Sequence, residues 1–160
     1  MLILDQAKTT GYAVFENKNL VEYGVVELGK KDDIYENILS SAKTKIGNLI
    51  EKTQADMIVI EDIQQQNQNV STYKKLAMLM GVLIGLFQEM NKPYNVVPPT
   101  RWKAFCEIQG RKRKEQKENT LLFVQKKFNL KNITNDVADA VSLGWYAVNN
   151  IGFSNNENPN

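Results

Sequence analysis

The chain has 160 residues, of which 42% are hydrophobic and 24% are charged, values that fit one compact soluble domain and exclude a disordered or fibrous protein. It contains no histidine, which excludes serine–histidine triads, histidine zinc sites and any histidine general base. The single cysteine, Cys106, excludes an internal disulfide and a thiolate zinc cluster and suits a reducing cytosol. Hydrolysis by this protein would therefore depend on carboxylates, lysines or metal ions.

Neither membrane insertion nor export is expected from the sequence. Met1 is followed by three apolar residues and an acid, without the basic leader and cleavage site of a signal peptide. The longest apolar run, at 76–87, has 12 residues, whereas a helix needs about 20 residues to cross a bilayer. The run therefore predicts a buried helix, and the chain is expected to be cytoplasmic.

The net charge of +2 is unevenly distributed along the chain. The first hundred residues carry 10 basic and 12 acidic side chains, and the last sixty carry 10 and 6. Seven of the basic residues crowd into positions 101 to 117: Arg101, Lys103, Arg111, Lys112, Arg113, Lys114 and Lys117. This density suits a polyanionic partner such as nucleic acid, and a solvated loop and helix face would have the same composition.

In chain order, the first apolar patterns predict strands at 1–5, 11–15 and 20–28, joined by short links as antiparallel neighbours. Apolar residues at helical spacing predict a helix at 34–50, which Asp32 or Asp33 could cap. A continuous apolar run at 57–60 predicts a strand buried on both faces that ends at Glu61. The remaining predicted elements are a polar loop at 64–69, a helix at 70–90, a strand at 94–97, and helices at 100–105, 114–128 and 136–149.

These elements predict an α/β fold with a mixed five-stranded sheet, three antiparallel strands and then two parallel ones, flanked by helices. We expect a single domain at 1–153 and a disordered tail at 154–160. The helix at 70–90 contains Gly81 and Gly85, which lower helix propensity but permit close approach of another helix. They predict a packing seam, either within the chain or between two subunits.

Four acidic residues are candidates for a functional site. Asp5 and Glu61 each follow four apolar residues, and a right-handed crossover would make their strands parallel neighbours with both acids at one sheet edge. Asp136 and Asp139 are three residues apart in an apolar stretch, which places both carboxylates on one helix face. Taken singly, each acid could instead be a turn residue, a solvated strand end or a helix-start residue.

Convergence of four carboxylates would require protons or cations, because the charges repel one another. Oxygen ligands suit Mg²⁺ or Mn²⁺, and two such ions about 3.5 to 4 Å apart can activate water and stabilise the leaving oxygen of a phosphodiester. The residues themselves thus indicate metal-dependent cleavage of nucleic acid.

The segments at 2–5, 10–14, 58–61 and 136–141 resemble the RuvC family of Holliday-junction resolvases, in the ribonuclease H-like superfamily. The resemblance runs in the same order over residues 1–149. It implies a ribonuclease H-like fold, two Mg²⁺ ions per site, for which Mn²⁺ could substitute, and a homodimer that makes paired nicks in four-way DNA junctions. It also implies that the helix at 70–90 forms the dimer interface. The implied catalytic metal ligands are Asp5, Glu61, Asp136 and Asp139.

The resemblance further implies basic catalytic residues. Lys103 and Lys114 match, with a spacing of eleven, family positions that contact the scissile backbone, where a lysine could neutralise phosphate charge. Gln64 lies where the family often has a stacking aromatic, and Tyr73 could substitute. The family's usual proline–glycine turn after the first acid is replaced here by Gln6-Ala7-Lys8, a divergence typical of a bacteriophage member. The full set of predicted DNA contacts is Lys8, Gln64, Tyr73, Arg101, Arg111, Lys112, Arg113 and Lys117.

Other functions remain as alternatives. A different ribonuclease H-like nuclease could act on RNA or RNA–DNA hybrids, since phosphate contacts do not identify the sugar. A non-catalytic module could bind branched DNA, although all four acids are present. The sugar kinase and actin-like ATPases share a strand, an acid and a threonine–glycine turn, but they need two domains and further glycine-rich loops that 160 residues do not supply.

Overall fold

The computed structural model describes residues 1–30, 32–64 and 70–151. In chain order its elements are β1 (Leu2–Asp5), β2 (Thr9–Glu16), β3 (Asn19–Glu27), α1 (Tyr35–Thr53), β4 (Ile58–Glu61), α2 (Val70–Glu89), β5 (Tyr94–Val97), α3 (Pro99–Phe105), α4 (Arg113–Phe128) and α5 (Asn135–Asn150). Every predicted strand and helix is present, with ends shifted by a few residues. The predicted tail at 154–160 and most of the predicted loop at 64–69 lie outside the described residues.

The strands form one mixed sheet in the order β3-β2-β1-β4-β5. The pairs β1–β2 and β2–β3 are antiparallel, whereas β1–β4 and β4–β5 are parallel. This confirms the predicted α/β fold. The register places Leu4 opposite Ile60. The next residue of each strand, Asp5 and Glu61, therefore emerges at the same edge of the sheet.

Helices cover both faces of the sheet. Leu2 and Leu4 of β1 pack in a cluster with α1 and α2, whereas Ile3 packs in a second cluster with α5 and parts of α3 and α4. The split arises because successive side chains of a strand point to opposite faces. Since β1 and β4 are apolar on both faces, the acid that ends each strand marks the point where the strand leaves the core.

The start of α1 differs from the prediction. Ile34 is the N-cap, and no side chain caps the helix. The carboxylate of Asp33 instead accepts a hydrogen bond of 2.6 Å from the backbone N–H of Lys30 in the preceding turn. The predicted cap by Asp32 or Asp33 is therefore wrong, because the turn before the helix takes up the Asp33 carboxylate.

One face of α2 is buried and the other is not. Leu79, Leu83, Leu86 and Phe87 are buried, in the cluster that includes α1, whereas Met78 is 51% exposed. By length and composition alone α2 could cross a membrane, but its buried stripe is that of a helix packed on a protein core. The prediction of a buried helix at 76–87 therefore holds for one face only.

The two glycines of α2 do not pack within the chain. A Cβ added to Gly81 or Gly85 would have no neighbour within 4 Å in the described structure. Of the two predicted packing seams, the one inside the chain is therefore ruled out for the part of the molecule that the structure describes. The surface around both glycines remains accessible to another molecule.

Candidate active site

The carboxyl ends of β1 and β4 open into a cavity of about 740 Å³. The first turn of α2 and parts of α3, α4 and α5 complete its walls. All four predicted acids line this cavity: Asp5, Glu61, Asp136 and Asp139. The structure therefore brings together side chains that are up to 134 positions apart in the sequence.

The start of α5 is fixed close to the sheet. The hydroxyl of Thr134 caps the helix by accepting a hydrogen bond of 3.3 Å from the N–H of Val137. Gly11 of β2 lies directly beneath: a Cβ built there would be 2.0 Å from the backbone oxygen of Asp136. Only glycine allows this approach, which carries the acids at 136 and 139 to the sheet edge.

Burial and mutual repulsion raise the pKa values of three of the acids in the cavity, Asp5, Glu61 and Asp139. Burial, followed by the charges of the other three acids, raises the pKa of Asp5 well above its ordinary value. Burial and the charge of Asp139 raise the pKa of Glu61 to about 7. Burial raises the pKa of Asp139 to about 6, although Lys103 and other cations oppose the shift. The site thus disfavours the full negative charge of its own acids.

Asp5 and Glu61 are close enough to form a hydrogen bond between their carboxyl groups. Two carboxyl groups can do this only if they share a proton, which replaces the repulsion between two anions. A cation held between them would provide the same relief at a pH at which the proton is lost.

The donor set fits a hard divalent cation. The four acids offer only carboxylate oxygens, the ligands that Mg²⁺ and Mn²⁺ prefer. Among the described residues, no group of three or more acids already has the arrangement of a formed metal site.

Three basic residues line the same cavity: Lys103, Arg113 and Lys117. The Nζ of Lys103 donates a hydrogen bond of 3.2 Å to the side-chain oxygen of Gln116 and lies 5.3 Å from the centre of the Trp102 ring. The charge of Lys103 also lowers the pKa values of Glu61 and Asp139. Lys103 therefore has the location that its predicted catalytic role requires.

Lys114 is not placed in this site. Its side chain is 87% exposed, and its Nζ lies 3.9 Å from the carboxylate of Glu118 on the same helix. Lys117 and Arg113, one turn apart on α4, face the cavity instead, and both lower the pKa of Asp139. The catalytic role of Lys114 stays a prediction, since the spacing of eleven from Lys103 fixes a position along the helix but not the direction in which the side chain points.

The other predicted DNA contacts divide into two groups. Gln64 and Tyr73 line the cavity, at its α2 side. Four residues lie outside its lining in the described structure: Lys8, Arg101, Arg111 and Lys112. Of these, Arg101, Arg111 and Lys112 are exposed, so they could meet DNA only beyond the cavity.

Sequence reasoning did not identify a role for Gln6. Its side chain is buried, and its amide N–H donates a hydrogen bond of 3.3 Å to the backbone oxygen of Glu61. The contact ties the end of β1 to the end of β4 just beyond their last backbone pair, Leu4 with Ile60. The only signal in the sequence is the position of Gln6 directly after Asp5.

One family model matches nearly the whole chain. It is described as crossover junction endodeoxyribonuclease RuvC, and it matches residues 3–146. The match includes all four acids and the basic residues of the cavity. No protein of curated function gives a significant sequence match.

Solved structures share the fold. Thermus thermophilus RuvC in complex with a Holliday junction substrate has a TM-score of 0.70 and 15% identity, with 91% of this chain and 92% of that chain covered. Fowlpox virus resolvase in complex with Holliday junction DNA has a TM-score of 0.62 and 16% identity, with 94% and 97% covered. The yeast mitochondrial Holliday junction resolvase Ydc2 has a TM-score of 0.60 and 16% identity, with 92% and 77% covered.

The family match covers far more than half of the sequence. The chain belongs to the RuvC family of crossover junction endodeoxyribonucleases, and it is a nuclease that resolves Holliday junctions.

Proposed function

We propose that this nuclease hydrolyses phosphodiesters at four-way DNA junctions with divalent cations held by Asp5, Glu61, Asp136 and Asp139. The observation that supports this most is the meeting of these acids in one cavity, where burial and repulsion raise the pKa values of three of them. Two Mg²⁺ ions, or Mn²⁺ in their place, would supply an activated water and stabilise the leaving oxygen.

The basic side chains of the cavity would hold the scissile phosphate. Lys103 on α3 and Lys117 and Arg113 on α4 line the same space as the acids. A phosphate that enters this space brings negative charge to a place where the acids alone would repel it. The three cations compensate for that repulsion and favour the additional charge of the transition state.

The α2 side of the cavity is suited to the nucleoside next to that phosphate. Gln64, which follows β4, and Tyr73, in the first turn of α2, both line the cavity on this side. An aromatic ring can stack on any base, and an amide can hydrogen-bond to its edge. Tyr73 would therefore take the place of the stacking aromatic that the family often has near position 64.

The exposed face of α2 would join two copies of the chain. Gly81 and Gly85 are one turn apart and lack neighbours within 4 Å in the described structure, and Met78 beside them is exposed. Small residues one turn apart let two helices approach closely. A homodimer would place two cavities on one junction, which is what paired nicks require.

The test is a cleavage assay on synthetic four-way junctions, linear duplexes and RNA–DNA hybrids, with Mg²⁺, Mn²⁺ or EDTA. We expect paired nicks in the junction only when a divalent cation is present. The variant Asp136→Asn should lose this cleavage and still bind the junction in a gel-shift assay. Equal cleavage by that variant would refute the catalytic assignment. Preferential cutting of the hybrid would favour the ribonuclease alternative, and binding without cutting by the wild type would favour a non-catalytic module.

A further inference from the structure

A second concave surface lies at the opposite end of α4 from the active site. It is a groove of about 400 Å³, formed by the end of α4, the middle of α5 and the start of β3. Residues 113 and 117, in the first turns of α4, line the active-site cavity, whereas Lys127 and Phe128, in its last turn, line this groove. At 1.5 Å per residue, about 15 Å of helix separate the two sites. They share no lining residue.

The groove has an aromatic floor that continues from the core to the surface. The ring of the buried Phe15 lies 6.0 Å from that of Phe128, which lies 5.8 Å from that of Trp145, in edge-to-face contacts. The Nζ of Lys127 lies 4.2 Å from the centre of the Trp145 ring. This packing holds the outermost rings in one orientation, so the floor of the groove is already formed before any partner arrives.

An apolar strip on β3 extends this floor. Val21, Tyr23 and Val25 are 50%, 42% and 40% exposed. Tyr23 pairs with Ala13, and Val25 with Gly11, so both lie on the sheet face that α5 covers. α5 packs mainly on β2 and β1 and contacts β3 less, so it covers β3 only in part. Three large apolar residues at alternate positions are thus exposed side by side, an arrangement that usually marks an interaction surface.

The outer edge of β3 is also unpaired. β3 pairs with β2 on one side, and no other described strand pairs with its second side. Proteins usually protect such an edge with charges or proline. Here the exposed positions between Asn19 and Glu27 are Val21, Tyr23 and Val25, and the edge carries a β-bulge in which Val21 is the extra residue. An extended segment could therefore form backbone hydrogen bonds with β3 and place alternate side chains over the apolar strip.

The charges of the groove indicate the chemistry of that segment. Among the described residues that line it, Lys18 and Lys127 are basic and none is acidic. A carboxylate would be complementary to the two lysines. Bulky apolar side chains would pack on Val21, Val25 and Trp145. Nucleic acid fits less well, because a phosphate backbone along the strip would lie on Val21 and Val25 without a cation.

We propose that the groove and the outer edge of β3 form a docking site for an extended protein segment that carries acidic residues beside bulky apolar ones. Binding adds this segment to the sheet as a strand next to β3, with an apolar side chain on Trp145 and carboxylates near Lys18 and Lys127. The site lies away from the catalytic cavity, so a partner protein bound there leaves the junction accessible.

The first test selects random nine-residue peptides by phage display on the full-length wild-type protein. Enriched peptides should combine Asp or Glu with Leu, Ile, Phe or Val. Synthetic copies should change the fluorescence of Trp145, since the other tryptophan, Trp102, is only 1% exposed. The variants Val21→Lys and Lys127→Glu should weaken binding at least about tenfold. Leu122→Lys, at an apolar position that is 61% exposed on α4 outside the groove, should bind as the wild type does.

Hydrogen exchange supplies the second measurement. A bound peptide should protect backbone amides of β3 and leave those of β5, the other edge strand, unchanged.

The absence of any enriched peptide family, or equal binding to Val21→Lys, would overturn the proposal. The proposal would also be overturned if Lys127→Glu lowered the affinity for junction DNA, because the groove would then bind nucleic acid and not a protein segment. Loss of self-association in Val21→Lys would assign it to a second copy. Junction cleavage by all three variants is expected to match the wild type, so the two proposals fail separately.

Discussion

Gly11 and Asp136 are in direct backbone contact across the boundary between the sheet and α5. A Cβ at position 11 would lie 2.0 Å from the backbone oxygen of Asp136 and 2.3 Å from its carbonyl carbon. Real non-bonded contacts of this kind are never so short, so any side chain at 11 must displace the start of α5. The two acids of α5 reach the ends of β1 and β4 only because β2 has a glycine at this point.

The first prediction follows from this contact. Gly11→Ala should lower the free energy of unfolding by about 1–3 kcal/mol, the usual cost of overpacking, and reduce junction cleavage by at least about tenfold, because Asp136 and Asp139 move away from Asp5. Thermal unfolding and single-turnover cleavage measure the two effects. Gly47→Ala is the matched control: its Cβ would meet only Leu86, at 3.8 Å, and alanine in a helix should stabilise the chain. Full cleavage by Gly11→Ala would show that the contact does not position the acids.

The second prediction distinguishes two lysines on α4. Lys117→Gln should reduce the cleavage rate by at least about tenfold, because it removes a charge from the cavity. Lys114→Gln should leave that rate within about twofold, because this side chain is exposed and near Glu118. Both changes remove one positive charge from the same helix, so a general loss of DNA attraction would affect them equally. A larger defect in Lys114→Gln would support the family-based assignment and contradict the structure.

These lysines show where the sequence is a sufficient guide and where it is not. The meeting of Asp5 and Glu61 was predictable, since two apolar strands ending in acids and joined by a right-handed crossover must place those acids side by side. The orientation of α4 was not, because its apolar residues at 121–124 are consecutive and its charged residues occur all around the helix. Such a pattern does not define a buried face. The contact of Gly11 with α5 could not be predicted from the sequence either, because it joins residues that are 125 positions apart.

The third prediction concerns the outer face of α2. Gly85→Leu should fold, because a side chain at this position has no neighbour within 4 Å in the described structure. It should also shift the protein from the proposed dimer to a monomer, because leucine prevents close approach of a second helix. Sedimentation velocity measures the shift. Ser71→Leu, at an exposed position in the first turn of α2, should leave the assembly unchanged. If Gly85→Leu remains a dimer, the two copies meet elsewhere.

The last prediction concerns the stability of the cation-free protein. Carboxyl groups with raised pKa values bind protons more tightly in the folded than in the unfolded state. Their contribution to stability is complete below about pH 4, the usual range of unfolded Asp and Glu. It is lost as the pH rises through the folded-state pKa values, about 6 for Asp139 and about 7 for Glu61. With EDTA present, the melting temperature should therefore be lower at pH 8 than at pH 5.

One mutation and one metal ion should each reverse this loss of stability at pH 8. Asp5→Asn removes an acid whose pKa is raised by burial and by the charges of the other three acids, and it should raise the melting temperature by roughly 5 °C or more. Mn²⁺ should raise the melting temperature of the wild type, because the ion binds the folded state. It should raise the melting temperature of Asp5→Asn far less, because this variant lacks one of the metal ligands. Glu118→Gln, at an exposed position outside the cavity, is the control. It should have the melting temperature of the wild type at pH 8, both with and without Mn²⁺. A melting temperature of Asp5→Asn below that of the wild type at pH 8 would mean that the acids do not repel one another in the folded protein.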